Sequence, residues 1–137
     1  MGFTDMFKML PEYFKSGTAR EPKASLPQEK MDSIAVAHTP DSAIQLNWFG
    51  HSTLLLHMHG KRIMIDPMLG STPAPHPLLG KSRYEPGLPM TAEQLPELDI
   101  VLFSHDHYDH LDYESVIKIK DKTALFLVPL GLKNHLV

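Results

Sequence analysis

Apolar and polar positions change their period along the chain, and each change predicts a different kind of element. Over residues 3–14, Phe3, Met6, Phe7, Leu10, Tyr13 and Phe14 recur at three- and four-residue steps with Asp5, Lys8 and Glu12 off that stripe. The spacing predicts a short amphipathic helix in spite of Pro11, packed on the protein's own body or docked on a membrane surface. Residues 16–43 carry Gly17, Pro22, Pro27 and Pro40 among charged and small residues and read as a linker or an arm over the domain. From Ile44 the period drops to two. Ile44-Gln45-Leu46-Asn47-Trp48 alternates, Leu54-Leu55-Leu56 reads as a buried strand, and Arg62-Ile63-Met64-Ile65 follows a His59-Gly60 turn, which together predict an antiparallel sheet of short strands.

Asp66-Pro67 closes the third of these strands, and residues 67–96 hold seven of the twelve prolines, so an irregular loop follows, with a helical turn near Thr91 to Leu95. Asp99-Ile100-Val101-Leu102-Phe103 is an apolar strand that leads directly into His105-Asp106-His107-Tyr108-Asp109-His110. Asp112 then caps a helix through about Lys118, Thr123 to Val128 forms a further strand, and residues 130–137 begin like a helix without a capping signal, as though within a domain. Strands alternating with helices, and chemistry at a strand's carboxyl end, predict an α/β fold.

Composition narrows the function classes. At 137 residues, with 42% hydrophobic and 21% charged positions, the chain suits one soluble domain that buries about two-thirds of its unfolded surface. Thirteen Lys and Arg against sixteen Asp and Glu give a formal charge of -3 with no basic run, which argues against a nucleic-acid partner. Cysteine is absent, so any metal site must use nitrogen and oxygen ligands. The amino terminus lacks the uninterrupted apolar run of a signal peptide, Met6 stands where a myristoylation motif needs Ser or Thr, and no stretch has membrane-spanning length. A cytoplasmic location is expected.

Three of the nine histidines fall within six residues. His-x-His-x-Asp-His puts three imidazoles and a carboxylate on one tight loop, the ligand set borderline cations such as zinc favour when thiolates are missing. Alternate residues can face one cavity, so His105 and His107 share one ion while Asp109 and His110 turn to a second, as in two-metal hydrolases. The competing reading is a solvated histidine-rich turn. His57 and His59, two apart on a strand, share a face and mimic a ligand pair. That pair, with His38, His76 and His135, is read as surface or partly buried imidazole.

The motif after a buried strand resembles the metallo-β-lactamase-fold hydrolases. Trp48-Phe49-Gly50-His51-Ser52-Thr53, Ile65-Asp66-Pro67, the run from Ser104 to Asp112, and Val128-Pro129-Leu130-Gly131-Leu132 look like the branch containing N-acylphosphatidylethanolamine-hydrolysing phospholipase D and its bacterial relatives. The resemblance covers about Leu46 to Leu136. It implies an α/β fold in which residues 44–137 are the amino-terminal half of a metallo-β-lactamase-like αββα sandwich; residues 1–43, outside the resemblance, keep their reading as an amino-terminal helix and linker arm.

For the site, the resemblance implies metal ligation by His105, His107, Asp109 and His110, with zinc as two ions, and manganese or iron as alternatives. Asp109 also orients the attacking hydroxide. Asp66 either accepts a hydrogen bond from the metal-binding loop or simply closes a strand with Pro67, and His51 either faces the site or braces its loop. Asp106 and Tyr108 fill variable positions and contact substrate. The function implied is a metal-dependent phosphodiesterase of phospholipase D type acting through a metal-bound hydroxide on a lipid or small-molecule phosphodiester. From composition alone, Phe3, Phe7, Phe14, Lys81, Arg83 and Tyr84 are expected to support peripheral membrane contact. Alternatives are a sugar-phosphate lactonase and a non-catalytic half. Family members take further ligands from a second half, and Asp112, Asp121 and His135 sit in no matching motif, so the 137 residues alone are expected to be inactive.

Overall fold

The computed structural model describes residues 22, 24–73, 82–84 and 87–135, so the helix predicted over residues 3–14 lies outside the described residues. A single sheet of five strands dominates: β1 (Gln45–Gly50), β2 (Thr53–Met58), β3 (Lys61–Ile65), β4 (Leu98–Leu102) and β5 (Thr123–Leu127), lying side by side in chain order. The first three pair antiparallel as expected, whereas β3 with β4 and β4 with β5 pair parallel, so the sheet is mixed. The β2–β3 hairpin turns on His59 (φ 50°) and Gly60 (φ 69°), both left-handed, the geometry whose twist matches the flanking strands. A Cβ at position 60 would displace the Asp41 carboxylate, whose Oδ1 it would meet at 2.8 Å, and the left-handed φ itself favours glycine.

Among the described residues two α-helices flank the strands, α1 (Ser33–Ala37) and α2 (Tyr113–Ile119). Asp112 caps α2 by accepting from the Ser115 N–H at 3.2 Å, and α2 lays Val116 and Ile119 into the core. The first helix arises within the segment read as a linker: Asp32 caps it, Val36 is buried, and Met31 N–H, Gln28 Nε2 and Lys30 Nζ donate to the carbonyls of Pro89, Gly87 and Leu88. A helical turn at Thr91 to Leu95 forms as expected, and Lys122 Nζ donates to the carbonyls of Ala92, Glu93 and Leu95 at 2.9–3.1 Å. The helix expected from residue 130 is a 3-10 turn, Leu132–His135. No helix among the described residues is long and apolar enough to cross a membrane.

Pleating gives the sheet two unlike faces. Leu55, Met64 and Val101 align across β2, β3 and β4 and are buried with Phe103, Leu98 and Ile119. Leu54 and Leu56 are only half-buried, because successive side chains of a strand point to opposite faces; the apolar run read as one buried strand serves two faces. On the second face Leu46, Leu56, Ile63, Ile100 and Leu125 form one cross-strand row and Trp48, Leu54, Ile65, Leu102 and Leu127 a second. Trp48 is 65% and Leu46 60% exposed, so that face is apolar without being covered among the described residues.

Histidines outside the cluster depart from expectation in one case. His57 is buried, its Nε2 donating to the Pro40 carbonyl at 3.1 Å, while His59 sits exposed in the turn. The pair therefore shares no face: the strand ends at Met58 and His59 takes left-handed backbone. His38 is exposed at the end of α1, its Nδ1 2.8 Å from the Ile34 carbonyl. His76 and the side chain of His135 lie outside the described residues.

Candidate metal centre

Because β1 and β3 both run against β2, they run together, and β4 is parallel to β3. The carboxyl ends of β1, β3 and β4 therefore fall on one edge of the sheet, bringing together Gly50 and His51, Asp66, and Ser104 with the histidine loop. Open α/β sheets characteristically bind ligands at this edge.

Asp66 has φ 44° and is 4% exposed, its N–H donating to the Leu102 carbonyl at 2.9 Å. Thr53, fully buried, locks the turn from beneath by donating to the Asp66 carbonyl at 2.7 Å and accepting from the Met68 N–H at 3.0 Å. The carboxylate then faces the loop: Oδ1 accepts from Ser104 N–H at 2.7 Å, and Oδ2 accepts from Ser104 Oγ at 2.7 Å and His110 Nδ1 at 2.8 Å. Burial pulls the Asp66 carboxyl upward, but hydrogen bonds from His110 and Ser104 outweigh it and hold the group below the usual carboxylate range.

An ionised Asp66 dictates the tautomers beside it. A carboxylate only accepts, so His110 carries its proton on Nδ1 and leaves Nε2 with a lone pair. Ser104 Oγ has one proton and gives it to Asp66, so towards His105 Nδ1, 2.8 Å away, it accepts. His105 is thus also protonated on Nδ1, with Nε2 bare. The ring of His105 packs 3.9 Å from that of His110 and 4.7 Å from that of His107, centroid to centroid. The turn itself is closed by His110 N–H and Leu111 N–H donating to the His107 carbonyl.

Two groups of donor atoms result, each with all its members within 4.8 Å of one another: His105, His107 and Asp109, and His51, Asp109 and His110. Asp109 belongs to both. Imidazole nitrogens converging on a carboxylate, with the far nitrogens of His105 and His110 held by hydroxyl and carboxylate, fit the nitrogen and oxygen ligation of a borderline divalent cation. Asp106 and Tyr108 are exposed beside the cluster, and Asp112 is committed to capping α2. Arg83, expected at a lipid-facing loop, turns its guanidinium inward to the carbonyls of Phe49, Met68 and Gly70; Lys81 lies outside the described residues. The supporting roles of Ser104 and Thr53 were missed by sequence reading, although Ser104 directly precedes the motif.

Residues 45–127, which contain every member of this cluster, match the beta-lactamase superfamily domain. The chain belongs to the beta-lactamase superfamily. Its fold is metallo-β-lactamase-like, with the mixed five-stranded sheet described above. Within the superfamily it is similar to an uncharacterised protein of Mycobacterium tuberculosis, 38% identical over 120 residues that cover 87% of this chain and 31% of that one. It is also similar to N-acyl-phosphatidylethanolamine-hydrolyzing phospholipase D 1 of Caenorhabditis elegans, 34% identical over 97% of this chain and 38% of that one. A metal-dependent hydrolase of Sulfurisphaera tokodaii is 36% identical over 67% of this chain and 35% of its own length. The chain spans about a third of the length of these curated superfamily relatives.

Proposed function

We propose that this chain carries the metal-binding part of a hydrolase that cleaves phosphodiesters in the manner of a phospholipase D, with zinc as its metal. The observation that carries the reading is the Asp66–Ser104 relay, which leaves Nε2 of His105 and His110 bare beside a carboxylate shared by two donor groups. The likeness to a phospholipid-hydrolysing relative at 34% identity supports a lipid phosphodiester as substrate.

In this reading His105 and His107 hold one ion and Asp109 and His110 the other. Divalent cations there supply Lewis-acid charge and a nucleophile drawn from water at neutral pH. Asp109, half-buried and within reach of both groups, orients the attacking oxygen as well as binding metal. Asp66 and Ser104 fix the imidazole tautomers, and exposed Asp106 and Tyr108 contact the substrate. Residues 44–137 act as the amino-terminal half of the hydrolase domain. The apolar face of the sheet, uncovered among the described residues, and the greater length of the relatives support that division, and on it the 137 residues alone turn over poorly.

Elemental analysis of the purified chain, beside turnover assays on a generic phosphodiester and on N-acylphosphatidylethanolamine, tests this. Bound zinc, with N-acylphosphatidylethanolamine cleaved by a protein containing this chain and the remaining ligands, is expected. A chain that takes up no zinc at micromolar concentrations contradicts the reading.

A further inference from the structure

Resting on that metal-site reading, we infer that His51 is a direct ligand of the second ion, so that this chain supplies three donors to each position: His105, His107 and Asp109 to one, His51, Asp109 and His110 to the other. His51 Nε2 lies 3.3 Å from Asp109 Oδ2, and His110 Nε2 lies 3.7 Å from the same oxygen. Ligands held tetrahedrally at about 2.0–2.1 Å from zinc stand about 3.3 Å apart. The two edges from Asp109 to His51 and His110 thus come close to the edge of a zinc tetrahedron, and the third closes within 4.8 Å.

A bracing role explains the same residue less well. The loop between β1 and β2 is already held without the His51 side chain, because Trp48 Nε1 donates to the His51 carbonyl at 2.9 Å and Arg83 donates to the Phe49 carbonyl at 3.0 Å. Gly50, at φ 95°, admits that guanidinium: a Cβ there would stand 3.0 Å from it. The imidazole is also 47% exposed, so it is not packed as a structural plug. Its Nδ1 lies 3.0 Å from Ser52 Oγ, the same hydroxyl support that Ser104 gives His105. Finally, His51 takes φ 48°, an unfavourable backbone for a residue with a Cβ, and the other described non-glycine residue with positive φ at this edge is Asp66.

The test is a zinc titration of the 137-residue chain against a chromophoric chelator, for the wild type, His51→Ala and His51→Gln, with folding followed by circular dichroism. The wild type is expected to take two equivalents. Both variants are expected to keep the first within about threefold and to lose the second by more than the about 10- to 100-fold typical of losing a mere support of a ligand. The second cobalt equivalent should change its visible absorption in both variants. A second equivalent unchanged in His51→Ala, or restored in His51→Gln, whose amide can hydrogen-bond Asp109, overturns the proposal while leaving the metal centre standing. A wild type that takes one equivalent does the same. A wild type that takes none overturns the metal reading and the proposal with it.

Discussion

Both ends of the sheet carry charged and polar side chains, and they use them in opposite ways. At the end where β3, β4 and β5 begin, the charges are spent. Lys61 Nζ pairs with Asp99 at 2.7 Å, Arg62 donates to Asp99 and to the carbonyls of Glu97 and Ala37, and Lys122 donates to three carbonyls. A cleft lined by Arg62, Asp99, Asp121 and Lys122 opens there, yet its cations are already bonded to the protein itself. At the opposite end His51, His105 and His110 each use Nδ1 on a hydroxyl or carboxylate, and His51 and His110 leave Nε2 facing Asp109. A cleft with polar walls is thus not what marks the reactive end; unspent lone pairs held in place are.

The sharpest break of this contrast is Asp109→Ala. Because Asp109 is common to both donor groups, its loss is expected to abolish both zinc equivalents, whereas loss of one alone would show that the groups are independent. Elemental analysis after dialysis reads the result. Next in size is Asp66→Asn, which keeps the shape but replaces an acceptor with an amide, and is expected to cost about 10- to 100-fold in zinc affinity.

Asp66 also sets a pH dependence in the metal-free chain. Its folded-state pKa is depressed, so its stabilising contribution is complete above the range where an unfolded carboxylate titrates and fades as pH falls through the lower folded value. Urea unfolding across that acid range should show the wild type converging on Asp66→Asn, and a constant gap would contradict the assignment.

At the other end the effects should fall on stability and spare metal. Lys122→Met leaves three carbonyls without their donor and is expected to cost about 1–3 kcal/mol in urea unfolding with zinc binding unchanged. Lys61→Met breaks an exposed pair with Asp99 and is expected to cost less than about 1 kcal/mol. A zinc defect in either variant would blur the separation between the two ends.

The contrast also explains what the sequence could and could not reveal. The spacing of His105, His107, Asp109 and His110 is local, so their convergence on one turn was legible from the chain alone. The choice for Asp66 between a turn residue and a support of the loop was not, because it depends on the parallel pairing of β3 with β4, made between segments some forty residues apart in sequence. His51 posed the same difficulty: only the direction of β1 brings it to the edge where β4 ends. His57 was misread for want of a distant carbonyl, that of Pro40, which lets an imidazole be buried. Arg83 and Lys122 carry charge that reads as surface, yet the backbone carbonyls they serve lie in other segments. The apolar run at Leu54 to Leu56 misled because both faces of this sheet are apolar, which removes the alternation that separates them.

The most direct test of the account is the tautomeric state of His105 and His110 in the metal-free chain, read from their nitrogen-15 chemical shifts at slightly alkaline pH, then followed as zinc is added. The account predicts Nδ1 protonated and Nε2 bare in both rings before any metal is present, with zinc moving the Nε2 resonances. Rings protonated on Nε2, or Nε2 resonances that zinc leaves in place, would contradict it.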